Sequence, residues 1–364
     1  MRLGTAAGIS TAAAAFGASA PFRTAASPPD VDGPPLRFLA DKLGLRIGAP
    51  FWTRCGSCDQ DPDLDQLCRR EFNTSIVYHA WGEVEPAPGV FNFAGLNYWY
   101  QRYRSLGADN VVLYGVVDPI AVAGPFANPD WLRDMSRSAM IDALQAYVAA
   151  VVTFSRNKMS SIVLVAETNS KPGWDILYDA LGVEYVEIAF AAARKADPAA
   201  VLAYGDYDNH TRSLGRYAVT KDIVDRLRKQ NLIDLVGIEC FVWAPWTWRK
   251  DEVVACLQSY GVPVAMTEFR VELQAIDGPF RYQVEADLYR TFLEAALESG
   301  VCHDFIFGAP ADGMGGEPSP NDPALFDTRL NPKPAYYATQ AVLQAAVDRK
   351  YAYRNTLPLV SSDR

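Results

Sequence analysis

From residue 44 onward, short apolar runs alternate with longer stretches whose apolar residues recur at helical spacing. "LRIGAPF" (45–51), "TSIVYHAW" (74–81), "NVVLYGVVD" (110–118) and "SIVLVAE" (161–167) predict the first four strands. "VLAYGDY" (201–207), "LVGIECFV" (235–242), "VPVAMTEF" (262–269) and "DFIFGA" (304–309) predict the next four. Helices are predicted over 63–72, 96–107, 137–158, 183–196, 221–230, 250–261, 282–300 and 335–350. Gly107 closes the second of these, and Asp197-Pro198 stops the fourth. The apolar runs are continuous, as expected of strands buried on both faces. Eight strand-then-helix units predict an α/β fold of one domain, a closed (β/α)8 TIM barrel. A doubly wound open sheet would carry a Gly-rich phosphate loop after an early strand, and none is present.

The ends of the chain read differently. Residues 1–35 are expected to be an export signal and linker, 36–350 the barrel, and 351–364 a C-terminal tail. "MRLGTAAGISTAAAAFGASA" is Ala-rich and weakly apolar, and Ala18-Ser19-Ala20 has the small-x-small form of a cleavage site. It predicts the second half of a twin-arginine signal whose Arg pair lies upstream, and hence a periplasmic or extracellular protein. No stretch reads as long and apolar enough to span a membrane.

With 364 residues and 49% hydrophobic content, the chain is large enough for one sizeable core. The formal net charge is −9 with no basic run, which argues against a nucleic-acid partner. A monomer is expected. Cys55 and Cys58 form a CxxC, but no second CxxC follows and the chain has 3 His, so neither a metal nor a cofactor is expected. A local disulfide, for example Cys58 with Cys68, fits export, and Cys240 reads as a buried free thiol.

In such a barrel the chemistry lies at the C-terminal strand ends. Those ends carry His79 and Trp81, Asp118, Glu167 and Asn169, Asp206, Tyr207 and Asp208, Glu239 and Trp243, Glu268 and Arg270, and Asp312. The rim is therefore acidic and aromatic. Glu167 and Glu268 end strands four and seven in matching ways and are expected to face each other across the cleft. Two facing carboxylates are the machinery of glycoside hydrolysis: one protonates the leaving oxygen, and the other attacks the anomeric carbon or activates water. Like-charge proximity raises the pKa of one so that it serves as the acid. Glu83 and Glu85 read as structural, Glu239 as a third site carboxylate or half of a buried pair with Arg270.

Several segments carry a family resemblance: "WGEVEPAPGVFNF", "GDYD", "LIDLVGIECFV", "VPVAMTEF" and "PALFDTRLNPKPAYYA". Over residues 36–348 the chain resembles glycoside hydrolase family 10, retaining endo-xylanases that use strand-four and strand-seven glutamates. The resemblance implies Glu268 as nucleophile and Glu167 as acid/base, acting on a polysaccharide or oligosaccharide. Trp81, Tyr207 and Trp243 are expected to border the sugar. His79, Asp118, Asn169 and Glu239 are expected to supply its polar contacts.

The chain departs from the family pattern where sugar hydroxyls are bound. Ala166 stands where an Asn precedes the acid/base. Ile76, Val77 and Ala80 replace polar strand-two contacts, the strand-three His is missing, and Glu239 and Phe241 hold the strand-six Gln and His positions. The strand-eight Trp is replaced near Phe307. These losses imply a different sugar, such as one cut by a related-clan glycosidase, or an inactive, carbohydrate-binding relative.

Overall fold

The computed structural model describes residues 32–51, 61–78, 80–118, 128–244, 246–273, 276, 278, 280–314 and 324–356. The expected signal segment, Cys55, Cys58 and His79 lie outside the described residues.

The strands are β1 (Arg46–Gly48), β2 (Thr74–Tyr78), β3 (Asn110–Val117), β4 (Ser161–Ala166), β5 (Leu202–Tyr207), β6 (Leu235–Trp243), β7 (Val264–Glu272) and β8 (Cys302–Phe307). All pair in parallel, and they close in sequence order into a barrel. The helices are α1 (Leu36–Leu43), α2 (Pro62–Glu71), α3 (Trp81–Val84), α4 (Ala94–Ser105), α5 (Arg137–Ser155) and α6 (Ile176–Leu181). They continue with α7 (Glu184–Ala196), α8 (Gly215–Lys229), α9 (Lys250–Ser259), α10 (Arg281–Ser299) and α11 (Pro334–Thr356). The (β/α)8 expectation therefore holds. α11 runs past residue 350, so the expected tail begins inside the closing helix.

Local chemistry sets the helix ends. Asp61 accepts from the Leu64 N–H at 3.2 Å ahead of Pro62 at the start of α2. Asp175 accepts from the N–H groups of Leu177 and Tyr178 to begin α6. α1 and α10 end on Gly44 and Gly300 in the left-handed region, where a side chain would be strained.

α5 differs from expectation, because by length and composition it is apolar enough to cross a bilayer. Its apolar side chains serve the core instead: Met140, Leu144, Tyr147, Val148, Val151 and Val152 are buried against the barrel. Of the expected Cys58–Cys68 pair, Cys58 lies outside the described residues. Cys68 is a free thiol buried within the core on α2, as Cys240 is on β6.

Two cores result. One fills the space between barrel and helices. The other fills the lumen with Ile76, Val112, Tyr114, Val163, Ala166, Ala203, Leu235, Ala265 and Ile306. Lumen membership reveals which side chains point inward, and hence which reach the top of the barrel.

The closed order places β8 across from β4, and β7 one strand short of it. The two glutamates are thus three strands apart, not diametrically opposed.

Candidate active site

Strand parity decides what enters the cleft. On β6, Leu235 lies in the lumen and Val236, Ile238, Cys240 and Val242 lie in the outer core, so Glu239, Phe241 and Trp243 point inward. On β7 the register shifts: Met266 pairs with Ile238, but Glu268 pairs with Glu239, leaving Thr267 as an extra residue. This bulge reverses the parity of the rest of the strand. Met266, Phe269 and Val271 face the helices, whereas Glu268, Arg270 and Glu272 turn inward. β6 and β7 continue beyond the glutamates to Trp243 and Glu272, so Glu268 lies mid-strand rather than at a strand end.

β4 ends on lumen-facing Ala166, and the next residue, Glu167, has φ +49°. That left-handed conformation costs a residue with a Cβ about 1–2 kcal/mol. Its N–H donates to the Gly205 carbonyl at 3.0 Å. The adjoining Thr168 is held from two sides. Its hydroxyl hydrogen-bonds Tyr204 Oη at 2.9 Å, and its carbonyl accepts from Arg216 Nη2 at 2.8 Å. Arg216, in the first turn of α8, also forks onto buried Asp206 at 2.8 and 2.7 Å. Asp206 faces α8, where Thr220 also donates to it, so it does not line the cleft.

The electrostatics separate the two glutamates. Burial, then the charges of Asp118, Asp206 and Glu268, push the Glu167 carboxyl up to about 9, against the opposing pull of Arg216. Burial also raises Glu268, but Arg270 opposes it directly, with Nη1 at 3.4 Å from Oε1. The Arg270 cation in direct contact with Glu268 favours the carboxylate form of Glu268. Gly308, just past β8, makes room for this pair. A Cβ there would lie 3.2 Å from Arg270 Cδ and 3.3 Å from Glu268 Oε1.

The other expected residues divide. Asp118 directly follows β3, and its charge bears on Glu167. Tyr207 points inward, with the Arg216 guanidinium 4.9 Å from its ring centre. Glu239 lies beside Glu268, while the guanidinium expected to pair with it turns to Glu268 and Glu272. Trp243 is 37% exposed on the rim, and beyond it Trp246 is 58% exposed.

Trp81 does not border a sugar. It is 1% exposed, stacks on Tyr147 at 4.2 Å and 3°, and donates from Nε1 to buried Glu85 at 2.7 Å. Asn169 spends its side-chain oxygen on its own turn, accepting from the Lys171 N–H at 2.9 Å. Asp312 is buried in an ion pair with Lys333 at 3.1 Å.

Sequence reasoning missed Tyr78. Its phenol stands among Glu268, Glu239 and Glu167, and burial followed by those charges drives its pKa well above the usual range. Parity was the available signal: Tyr78 is two residues beyond lumen-facing Ile76.

The sequence pattern of glycosyl hydrolase family 10 matches residues 123–342, more than half of the chain. The chain belongs to glycosyl hydrolase family 10. Among relatives, endo-1,4-beta-xylanase B of Thermotoga neapolitana is 25% identical, over 85% of this chain and 92% of that protein. Endo-1,4-beta-xylanase A of Humicola insolens is 25% identical, over 85% of this chain and 86% of its own length. In structure, xylanase 10B of Thermotoga maritima superposes with a TM-score of 0.76 at 23% identity, covering 86% of this chain and 99% of that one. Xylanase 10B of Thermotoga petrophila, solved with xylobiose, gives 0.76 at 22%, covering 87% and 99%. This family 10 member is thus a retaining, endo-xylanase-like glycoside hydrolase. The matched segment contains both Glu167 and Glu268.

Proposed function

We propose that the protein cleaves a polysaccharide or oligosaccharide by double displacement, with Glu268 as nucleophile and Glu167 as acid/base. One observation carries this reading: two inward carboxylates whose surroundings pull their ionisation apart. Glu167 holds its proton at neutral pH and gives it to the departing glycosidic oxygen. Glu268, ionised beside Arg270, forms the bond to the anomeric carbon. Glu167, now a carboxylate, takes a proton from water, and that water's oxygen attacks the anomeric carbon and releases Glu268. Tyr207 and Trp243 border the sugar, and Asp118 and Tyr78 supply polar contacts. Related xylanases bind xylo-oligosaccharides, which favours xylan-type glycans as the first substrates to test.

The test is Glu268→Ala and Glu167→Ala, assayed on xylan, arabinan, galactan, mannan and β-glucan. Glu268→Ala is expected to abolish turnover. Glu167→Ala is expected to lose about 10²–10⁴-fold on glycans but far less on substrates whose leaving group needs no proton. Unchanged turnover in both would sink the assignment. Oligosaccharide binding by the wild type without release of reducing ends over days would make the chain a carbohydrate-binding relative instead. Export is proposed on the Ala-rich N-terminal segment and Ala18-Ser19-Ala20. Mass spectrometry of secreted protein beginning at residue 1 would count against it.

A further inference from the structure

Glu239 is left over by a scheme that needs two carboxylates. It lies on the inward face of β6, its Cα in register with that of Glu268 on β7, and it is 3% exposed. The facing groups can be named strand by strand. β7 presents Glu268, Arg270 and Glu272, and β2 presents Tyr78. β5 presents Tyr207, in register with Glu239, and Asp208, whose N–H donates to the Glu239 carbonyl at 3.0 Å.

Among the described residues, the cation beside Glu239 is Arg270. Its Nη1 lies 3.4 Å from Glu268 Oε1 and its Nε 3.1 Å from Glu272 Oε1, and its guanidinium sits 4.8 Å from the Phe241 ring centre. Arg270 is engaged by two other carboxylates, and its pull on Glu239 is outweighed by burial and by the Glu268 charge. Glu239 Oε1 is buried with no hydrogen-bond partner. A buried carboxylate without a partner is costly, whereas a carboxylic acid beside a carboxylate gains a strong hydrogen bond. Burial, then the Glu268 charge, raise the Glu239 carboxyl well above the usual range, in keeping with that geometry.

We infer that Glu239 is a positioning residue for the nucleophile: it is carried as the neutral acid and donates the hydrogen bond that aims Glu268 at the anomeric carbon. The inference rests on Glu268 being the nucleophile. The proton stays on Glu239 through the cycle. The hydrogen bond weakens as Glu268 spends its charge on the glycosyl bond, and it returns when that bond breaks and Glu268 leaves as a carboxylate. An amide has the shape of the neutral acid and can also donate, so Gln is the conservative replacement.

The experiment compares pH profiles of kcat/KM for wild type, Glu239→Gln and Glu239→Ala, with Glu268→Gln in parallel and thermal melts of each. Glu239→Gln is expected to stay within about tenfold of wild type, while Glu239→Ala falls by about 10²–10³-fold with its melt still cooperative. In Glu239→Gln the acidic limb moves to higher pH, because an amide stabilises the Glu268 carboxylate less than a shared proton does. A role confined to packing would leave that limb in place. The inference is overturned if folded Glu239→Gln is as slow as Glu239→Ala, since a charged Glu239 would then be required. It is also overturned if Glu239→Ala matches wild type. Activity retained in Glu268→Gln would instead remove the nucleophile assignment itself.

Discussion

Arg216 Nη2 donates to the carbonyl oxygen of Thr168 at 2.8 Å, and so anchors the residue after Glu167 to the first turn of α8. The same guanidinium forks onto Asp206. One side chain thereby ties the left-handed turn at Glu167 to two other elements. Arg216→Lys keeps the charge but loses the fork. Small misplacements of a reacting group cost as much as 10²-fold, so kcat is expected to fall about tenfold to a hundredfold. KM is expected to change less than kcat, because lysine keeps a cation near the Tyr207 ring. Steady-state kinetics with a thermal melt check this. Unchanged kcat would mean the turn holds itself.

Glu167 carries its proton to about pH 9, so the alkaline limb of kcat/KM is expected near that pH. Activity falls as pH rises through it, because the acid is then lost. A pH–rate profile on a neutral glycan reads this directly.

The same shift has a cost in stability. Below the ordinary carboxylate range, Glu167 is protonated in both folded and unfolded chains and contributes no pH dependence. Between that range and about 9, the unfolded chain releases the proton and the folded one keeps it, so stability declines as pH rises. Glu167→Gln removes this burden. Its melting temperature is expected to exceed that of wild type at pH 8 and to match it at pH 4, while activity is lost.

Gly308 leaves the space in which Glu268 and Arg270 lie. Gly308→Ala is expected to lower kcat about tenfold or more by moving Glu268, with a loss of stability near 1–3 kcal/mol from overpacking. Kinetics and denaturant titration separate the two effects.

Trp81 and Trp243 should respond oppositely to removal. Trp81→Ala empties a stacked core position and is expected to cost about 3–5 kcal/mol of stability. Trp243→Ala, on the rim, should leave the melt unchanged and raise KM for long glycans more than for short ones. A length series of oligosaccharides with paired melts distinguishes them.

The barrel was legible because strands buried on both faces appear as continuous apolar runs, and "IVLVAE" and "VPVAMTE" place a carboxylate just after such a run. The site was legible less fully. Trp81 was misplaced because a Trp near a strand end has the same sequence signature whether it faces sugar or core. It packs into the core between barrel and helices, where α3 begins against Tyr147 of α5. The bulge at Thr267 was invisible, since nothing in "AMTEFRVE" marks an extra residue in the pairing. Yet it is the bulge that brings Glu268, Arg270 and Glu272 to one face. Arg216 was hidden by distance along the chain: its partners Thr168 and Asp206 lie on other units, and long-range ion pairs leave no local pattern.

The bulged, extended pairing of β6 and β7 also makes the two glutamates mechanically unequal. Glu268 is embedded in a sheet that continues on both sides of it, like a peg in a beam. Glu167 stands just past β4, on a left-handed turn held through Thr168 by Arg216 and Tyr204. In the proposed mechanism, the group that must return to one point in each turnover is the one set within the sheet. The group that would serve first the leaving oxygen and then an incoming water is the one on the turn.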